Sequence, residues 1–157
     1  MTIRTLFAAL VIGLVLSPAV ALAQQEPAGS LGPQVDMVHT LGCVERRADA
    51  AAPWWLTRAA DPTVTKRGVF DGDQIVEIEA TALGTRQFQL VGVADFLTAE
   101  GLLGTGDRAL FTAPDQANAT GELRDGRTVL VKGLLIETDG DPRINLVAVV
   151  GLEDKCR

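Results

Sequence analysis

The only imidazole in the chain belongs to His39. Nucleophilic catalysis needs a base beside its nucleophile, and no Gly-x-Ser-x-Gly elbow accompanies this histidine. A lone histidine in a strand-like stretch reads as a structural residue. Two carboxylate pairs, Asp71/Asp73 and Asp139/Asp141, have the spacing for acid–base work or for oxygen ligation of Ca²⁺. Each pair flanks a glycine, the usual composition of a tight turn whose Asp side chains bond their own backbone. The distal Glu of a calcium loop is missing, Cys and His do not cluster as zinc requires, and no phosphate-cradling loop is present. The sequence implies no catalytic residue, no metal and no cofactor.

Cys43 and Cys156 lie near the two ends of the mature chain expected after removal of an export signal. In an exported protein an even count of cysteines reads as disulfide chemistry. A bridge across more than a hundred residues stabilises by about 4 to 5 kcal/mol in the chain-entropy model. It requires the sulfurs to be adjacent, and so predicts that the first and last strands are neighbours. The alternative is a pair of buried free thiols.

The remaining chemistry is that of binding. Trp54-Trp55 supplies flat apolar surface, and Arg58, Arg86, Lys132, Arg143 and Asn145 fall on strands rather than in solvated loops. Together they form a candidate ligand surface. The competing reading makes one indole core and pairs the cations with nearby acids.

These residues must be positioned by an export-type chain of 157 residues, enough for one domain. Arg4, the apolar run Leu6 to Leu16, Pro18 and Ala21-Leu22-Ala23 compose a signal peptide over residues 1–23. The apolar run is short for a membrane span of ~20 residues, so no span is expected after cleavage. Thr40-Leu41-Gly42-Cys43 imitates a lipidation box but sits far beyond the apolar run. Residues 24–34 read as a disordered N-terminus, and residues 35–157 as the folded domain. The net charge of −6 and the scattered basic residues, adjacent only at Arg46-Arg47 and Lys66-Arg67, exclude a phosphate-tracking nucleic-acid surface.

The domain is organised around Thr128 to Gly151, two β-branched apolar runs either side of Thr138-Asp139-Gly140-Asp141-Pro142. That is a hairpin in turn chemistry. Its runs are apolar on both faces, which predicts strands covered on both sides, or an exposed apolar face used for self-association. Before it, Val35 to Glu45 reads as a first strand with Gly42 at a bulge or bend. Trp54 to Ala60 reads as a second, with Trp54, Leu56 and Arg58 on one face and Trp55, Thr57 and Ala59 on the other. Arg86 to Val91 is a third, alternating cleanly about Phe88 and Leu90. Gln74 to Leu83 fits a short helix better than a strand, and Ala94 to Leu103 suits one or two helical turns. Gly104 to Asp125 is a long polar loop with a short strand over Ala109 to Thr112, and its Asn118-Ala119-Thr120 triplet is a glycosylation sequon by pattern alone.

The order strand, strand, strand, helical turn, hairpin resembles the five-stranded OB-fold. The pieces Gly42-Cys43-Val44-Glu45, Trp55-Leu56-Thr57 followed by Ala60-Asp61-Pro62, Arg86-x-Phe88-x-Leu90-x-Gly92-Val93-x-x-Phe96, Val131-Lys132-Gly133-Leu134-Leu135-Ile136 and Arg143-Ile144-Asn145-Leu146 resemble a group of exported bacterial OB-like proteins. These open on a Gly-Cys strand and end in a Lys-Gly…Arg-x-Asn hairpin. The resemblance runs from Val35 to Cys156, with Gly104 to Asp125 as a departure. It implies an all-β fold with one short helix, a small five-stranded OB-like barrel, and brings no activity with it. On such barrels ligands cross the second and third strands. The expectation is an exported, periplasmic or secreted, non-enzymatic module that binds a small ligand, a polymer or a protein partner. The alternative is an envelope protein that self-associates through its apolar final hairpin. A hydrolase is the third class and lacks a recognisable catalytic set.

Overall fold

In the computed structural model, β1 (Met37–Arg46) is the strand on which the sheet closes. Residues 35–157 are described, except 51 and 107, so the signal peptide at 1–23 and the N-terminal segment at 24–34 lie outside the described residues. The other strands are β2 (Trp54–Ala59), β3 (Thr63–Val64), β4 (Arg86–Val91), β5 (Thr128–Ile136) and β6 (Arg143–Glu153). They form one six-stranded sheet in the order β2-β4-β6-β5-β1-β3, and β2 pairs again with β1. Five strands therefore complete a ring, β1-β2-β4-β6-β5 and back to β1. All its pairings are antiparallel except β4 with β6. The sixth strand, β3, pairs with β1 only at Val38 and His39.

Strand alternation sorts the ring into an inside and an outside. Trp54, Leu56, Phe88, Leu90, Val129, Val131 and Ile144 turn inward into one buried cluster. One end is filled by the segment after β4. There a 3-10 turn (Val93–Phe96) leads into α2 (Ala99–Leu103), capped by the Thr98 hydroxyl, which accepts from the Gly101 N–H at 3.1 Å. Leu97 and Leu102 of this segment, with Leu123 near the end of the following loop, join the inner cluster. The long loop that follows holds a helical turn, α3 (Arg108–Phe111), where the sequence suggests a strand over Ala109 to Thr112. Leu110 and Phe111 are exposed, and none of the described strands pairs with this turn.

The outer face has its own smaller apolar cluster. Leu41 on β1 and Leu130 on β5 are cross-strand partners, and α1 (Gly72–Glu79) lays Ile78 over them. The helix starts where the sequence provides its cap: Asp71 accepts from the Gln74 N–H at 2.8 Å, in a capping box with the Gln74 side chain. The helix thus begins two residues before Gln74 and ends at Glu79, short of Leu83. Asp71 is committed to that cap. The other carboxylate pair sits in the hairpin turn, where the Thr138 hydroxyl donates to the Asp141 carbonyl at 2.8 Å.

Glycine is required where strands cross closely. A β-carbon on Gly133 would collide with the Asn145 carbonyl and the Ile144 side chain on β6, beside a register shift in the β5–β6 pair. On Gly42 it would lie 2.8 Å from Leu56 Cγ and 2.9 Å from the Thr57 carbonyl, where β1 meets β2. Gly42 is thus the close-approach point of the ring rather than a bulge.

Cys43 and Cys156, 113 positions apart in sequence, form a disulfide with Cα atoms 5.3 Å apart. The strand adjacency expected from it needs correction. β5 lies between β1 and β6, with Cys43 opposite Thr128 and Thr128 opposite Glu153. The tail beyond β6 crosses Thr128 to reach β1. The buried Thr128 hydroxyl donates to the Lys155 carbonyl at 2.9 Å and accepts from the Arg157 N–H at 3.2 Å.

Candidate functional site

One row of side chains runs along the outer face of four strands. Glu45 on β1 is opposite Trp55 on β2, Trp55 is opposite Gln89 on β4, and Gln89 is opposite Arg143 on β6. Each of these positions alternates with an inward residue, so all four point away from the core. Arg47, just beyond β1, folds back over this row. Its guanidinium carbon stands 4.1 Å from the centroid of the Trp55 ring. Its Nε donates to Glu45 Oε1 at 2.8 Å, and one Nη donates to Gln87 Oε1 at 3.0 Å. The Trp55 Nε1–H donates to the Ala52 carbonyl at 3.1 Å, which fixes the indole.

The charges in this constellation hold each other. The hydrogen bond from Arg47, and then its positive charge, keep the Glu45 carboxyl below the usual glutamate range against the opposing effect of burial. Glu45, and then Asp141 in the hairpin turn, raise the Arg47 guanidinium in return. Beside them lies an open groove of about 560 Å³, walled by Glu45, Arg47, Thr57, Arg58, Thr85 and Gln87. It offers amide, hydroxyl, carboxylate and guanidinium groups together, next to an aromatic face over which a cation is already stacked.

The structure divides the residues singled out from the sequence. Trp55 and Arg143 share the outer row, and Asn145 follows Arg143 on the same face, opposite Val91 and against Gly92. Arg58 borders the groove but is also tied down: one Nη donates to the Arg157 carbonyl and lies 3.1 Å from the Cys156 sulfur. Its backbone has φ 50°, a left-handed conformation rare outside glycine, at a register shift between β2 and β4. That irregularity corrects the strict two-residue period read for this strand. Ala59 joins the inner cluster, whereas Arg58 turns to solvent. Arg86 is exposed at the start of β4, its guanidinium 5.7 Å from the Phe88 ring centroid. Trp54 points into the core at 5 % exposure and takes no part in the outer face. Lys132 also departs from the expected strip. It is 2 % exposed, with its ammonium 4.4 Å from the Phe70 ring centroid and 3.2 Å from the Val69 carbonyl.

Arg47, Glu45 and Gln87 belong to the site and are missed by reading the sequence. Arg47 lies in a polar loop, and only the register that sets Glu45 opposite Trp55 brings it over the indole. Among the described residues, no group of three or more His, Cys, Asp and Glu side chains is placed to hold a metal ion, and no helix is long and apolar enough to cross a membrane. Comparison with known protein families, with curated proteins and with solved structures finds no significant match to this chain.

Proposed function

We propose that the chain is an exported, non-enzymatic OB-like barrel that binds a ligand across the outer face of β2 and β4. The ring order, the parallel β4–β6 pair and the helical segment that plugs one end between β4 and β5 support the OB-like reading. The disulfide fits an oxidising compartment, and the signal-like N-terminus fits export. The observation that carries the binding reading is the Arg47–Trp55 stack beside the polar groove. It places a guanidinium, oriented by the indole buried beneath it, beside a carboxylate and an amide on one surface, the mixed polar chemistry that sugar, peptide or polymer ligands use.

The test is a tryptophan-fluorescence titration of the oxidised protein with cell-wall fragments, polyanions and divalent metals. The expected result is a saturable shift with one class, weakened at least about tenfold by Arg47→Ala, the loss of about 1.4 kcal/mol of binding free energy. A shift that Arg47→Ala and Trp55→Phe leave unchanged places the ligand elsewhere and overturns the reading. Self-association through the final hairpin has less support. Its apolar side chains are covered by the ring inside and by α1 outside, and among its large apolar residues only Ile136 and Val147 are exposed.

A further inference from the structure

We infer that α1 is an acid-released latch, held on the outer face of β1 and β5 while His39 is uncharged. His39 projects from β1 into the cleft between the sheet and α1, a space of about 270 Å³ bordered also by Thr63, Gln74, Glu77, Ile78 and Thr81. Its Nδ1 is buried and has no hydrogen-bond partner among the described residues. The ring meets Phe70 edge-on, with centroids 6.4 Å apart.

The groups that face His39 come from every element packed around it. From β5 comes Lys132, its cross-strand partner, a buried ammonium that has no carboxylate within ion-pair distance among the described residues. From α1 comes Glu77, together with uncharged Gln74 and Thr81. From β3 comes Thr63, opposite His39 in register, and from the segment before α1 comes Phe70. One carboxylate on the helix thus faces a site that already contains one buried cation. A proton taken up from solvent by His39 places a second positive charge beside the buried Lys132 ammonium. Burial first, and then the Lys132 charge, lower the His39 pKa from 6.5, against an opposing pull from Glu77.

Apolar burial holds the latch only lightly, and its far end is tied by Arg157, which donates to the Glu79 carbonyl at 2.9 Å. Among the residues of this eight-residue helix only Ile78 is buried, and a helix so short has little stability of its own. Opening restores water to His39 and lets it accept the proton. Because the closed-state pKa is the depressed one, the closed form is fully favoured above pH 6.5 and loses ground as pH falls toward the depressed value.

Hydrogen exchange of the full-length oxidised protein at pH 7.5 and 5.5 tests this. Exchange of the α1 amides, taken relative to those of β4, is expected to rise by at least about threefold at the lower pH, with a limit of about tenfold for each unit of depression. His39→Gln should remove the rise, and Lys132→Met should reduce it. An unchanged ratio in the wild type, or an equal rise in His39→Gln, overturns the proposal. Should His39→Gln fail to fold, NMR titration of the wild-type imidazole decides: the chain has one histidine, so one resonance reports it. Titration at or above pH 6.5 overturns the latch, and titration below it together with faster α1 exchange supports it.

Discussion

At the scale of single residues, the site depends on Arg47 being held in place rather than on its charge alone. A surface ion pair is worth little by itself, but here the guanidinium also bonds Gln87 and covers an indole. The Glu45 carboxyl is depressed below its ordinary value, so the pair is complete above that value and is lost as pH falls through the lowered one. Tryptophan fluorescence should therefore change in acid below about pH 4.5, the ordinary glutamate value, and Glu45→Gln should abolish that change. A wild-type titration that Glu45→Gln leaves intact would show that Arg47 does not depend on this carboxylate. Gly133 offers a second test at this scale. Its missing side chain lets β6 lie close against β5 at their register shift, so Gly133→Ala should destabilise by about 1 to 3 kcal/mol through overpacking, read from the midpoint of urea unfolding.

At the scale of elements, what could be read in the sequence followed from how local the cause was. Arg86–Val91 was legible as a strand with its ends correct, because Phe88 and Leu90 alternate with glutamines and no bulge intervenes. The hairpin was legible from its turn residues, and its apolar outer side from the want of alternation. The start of α1 was blurred, although Asp71 and Gln74 form a capping box that could have marked it. β3 was not legible, since two residues carry no period and the strand exists through its pairing with Val38 and His39. The fate of Lys132 was hidden for a similar reason. Alternation places it on the outside of β5 correctly, but only the chain fold brings Phe70 and Val69 over it. Arg58 followed from no pattern, because its left-handed backbone answers to the β2–β4 register shift and to the tail it clasps.

The tail itself ties elements together. Beyond the disulfide, one Arg157 Nη donates to the Glu79 carbonyl at 2.9 Å at the end of α1, and its Nε pairs with Glu153 at 2.6 Å. The bridge thus positions a cation where the helix dipole favours one. Cys156→Ser should cost about 4 to 5 kcal/mol in urea unfolding, the chain-entropy value for so long a loop. It should also speed hydrogen exchange in the last turn of α1 more than in β4. Equal acceleration in both would mean that the tail does not hold the helix.

At the scale of the molecule, two apolar clusters and one covalent link divide the labour. The inner cluster fills the ring and the outer one seats α1, while the disulfide fastens the tail across the start of β5. This leaves the β1-β2-β4-β6 row of Glu45, Trp55, Gln89 and Arg143 on the outer side of the ring, with the Arg47 side chain stacked over Trp55, which is itself only 7 % exposed. Under the proposed function this is the surface that holds the ligand, and the acidic chain, at a net charge of −6, favours neutral or cationic partners over long polyanions. The most direct measurement is NMR mapping of backbone amides in the oxidised protein while neutral cell-wall oligosaccharides, cationic peptides and polyanions are added in turn. The account predicts saturable perturbations centred on Glu45, Arg47, Trp55, Thr57, Gln87 and Gln89 for one class and little change in β5. Perturbations centred on any other surface, or none from any class at millimolar concentration, would contradict it.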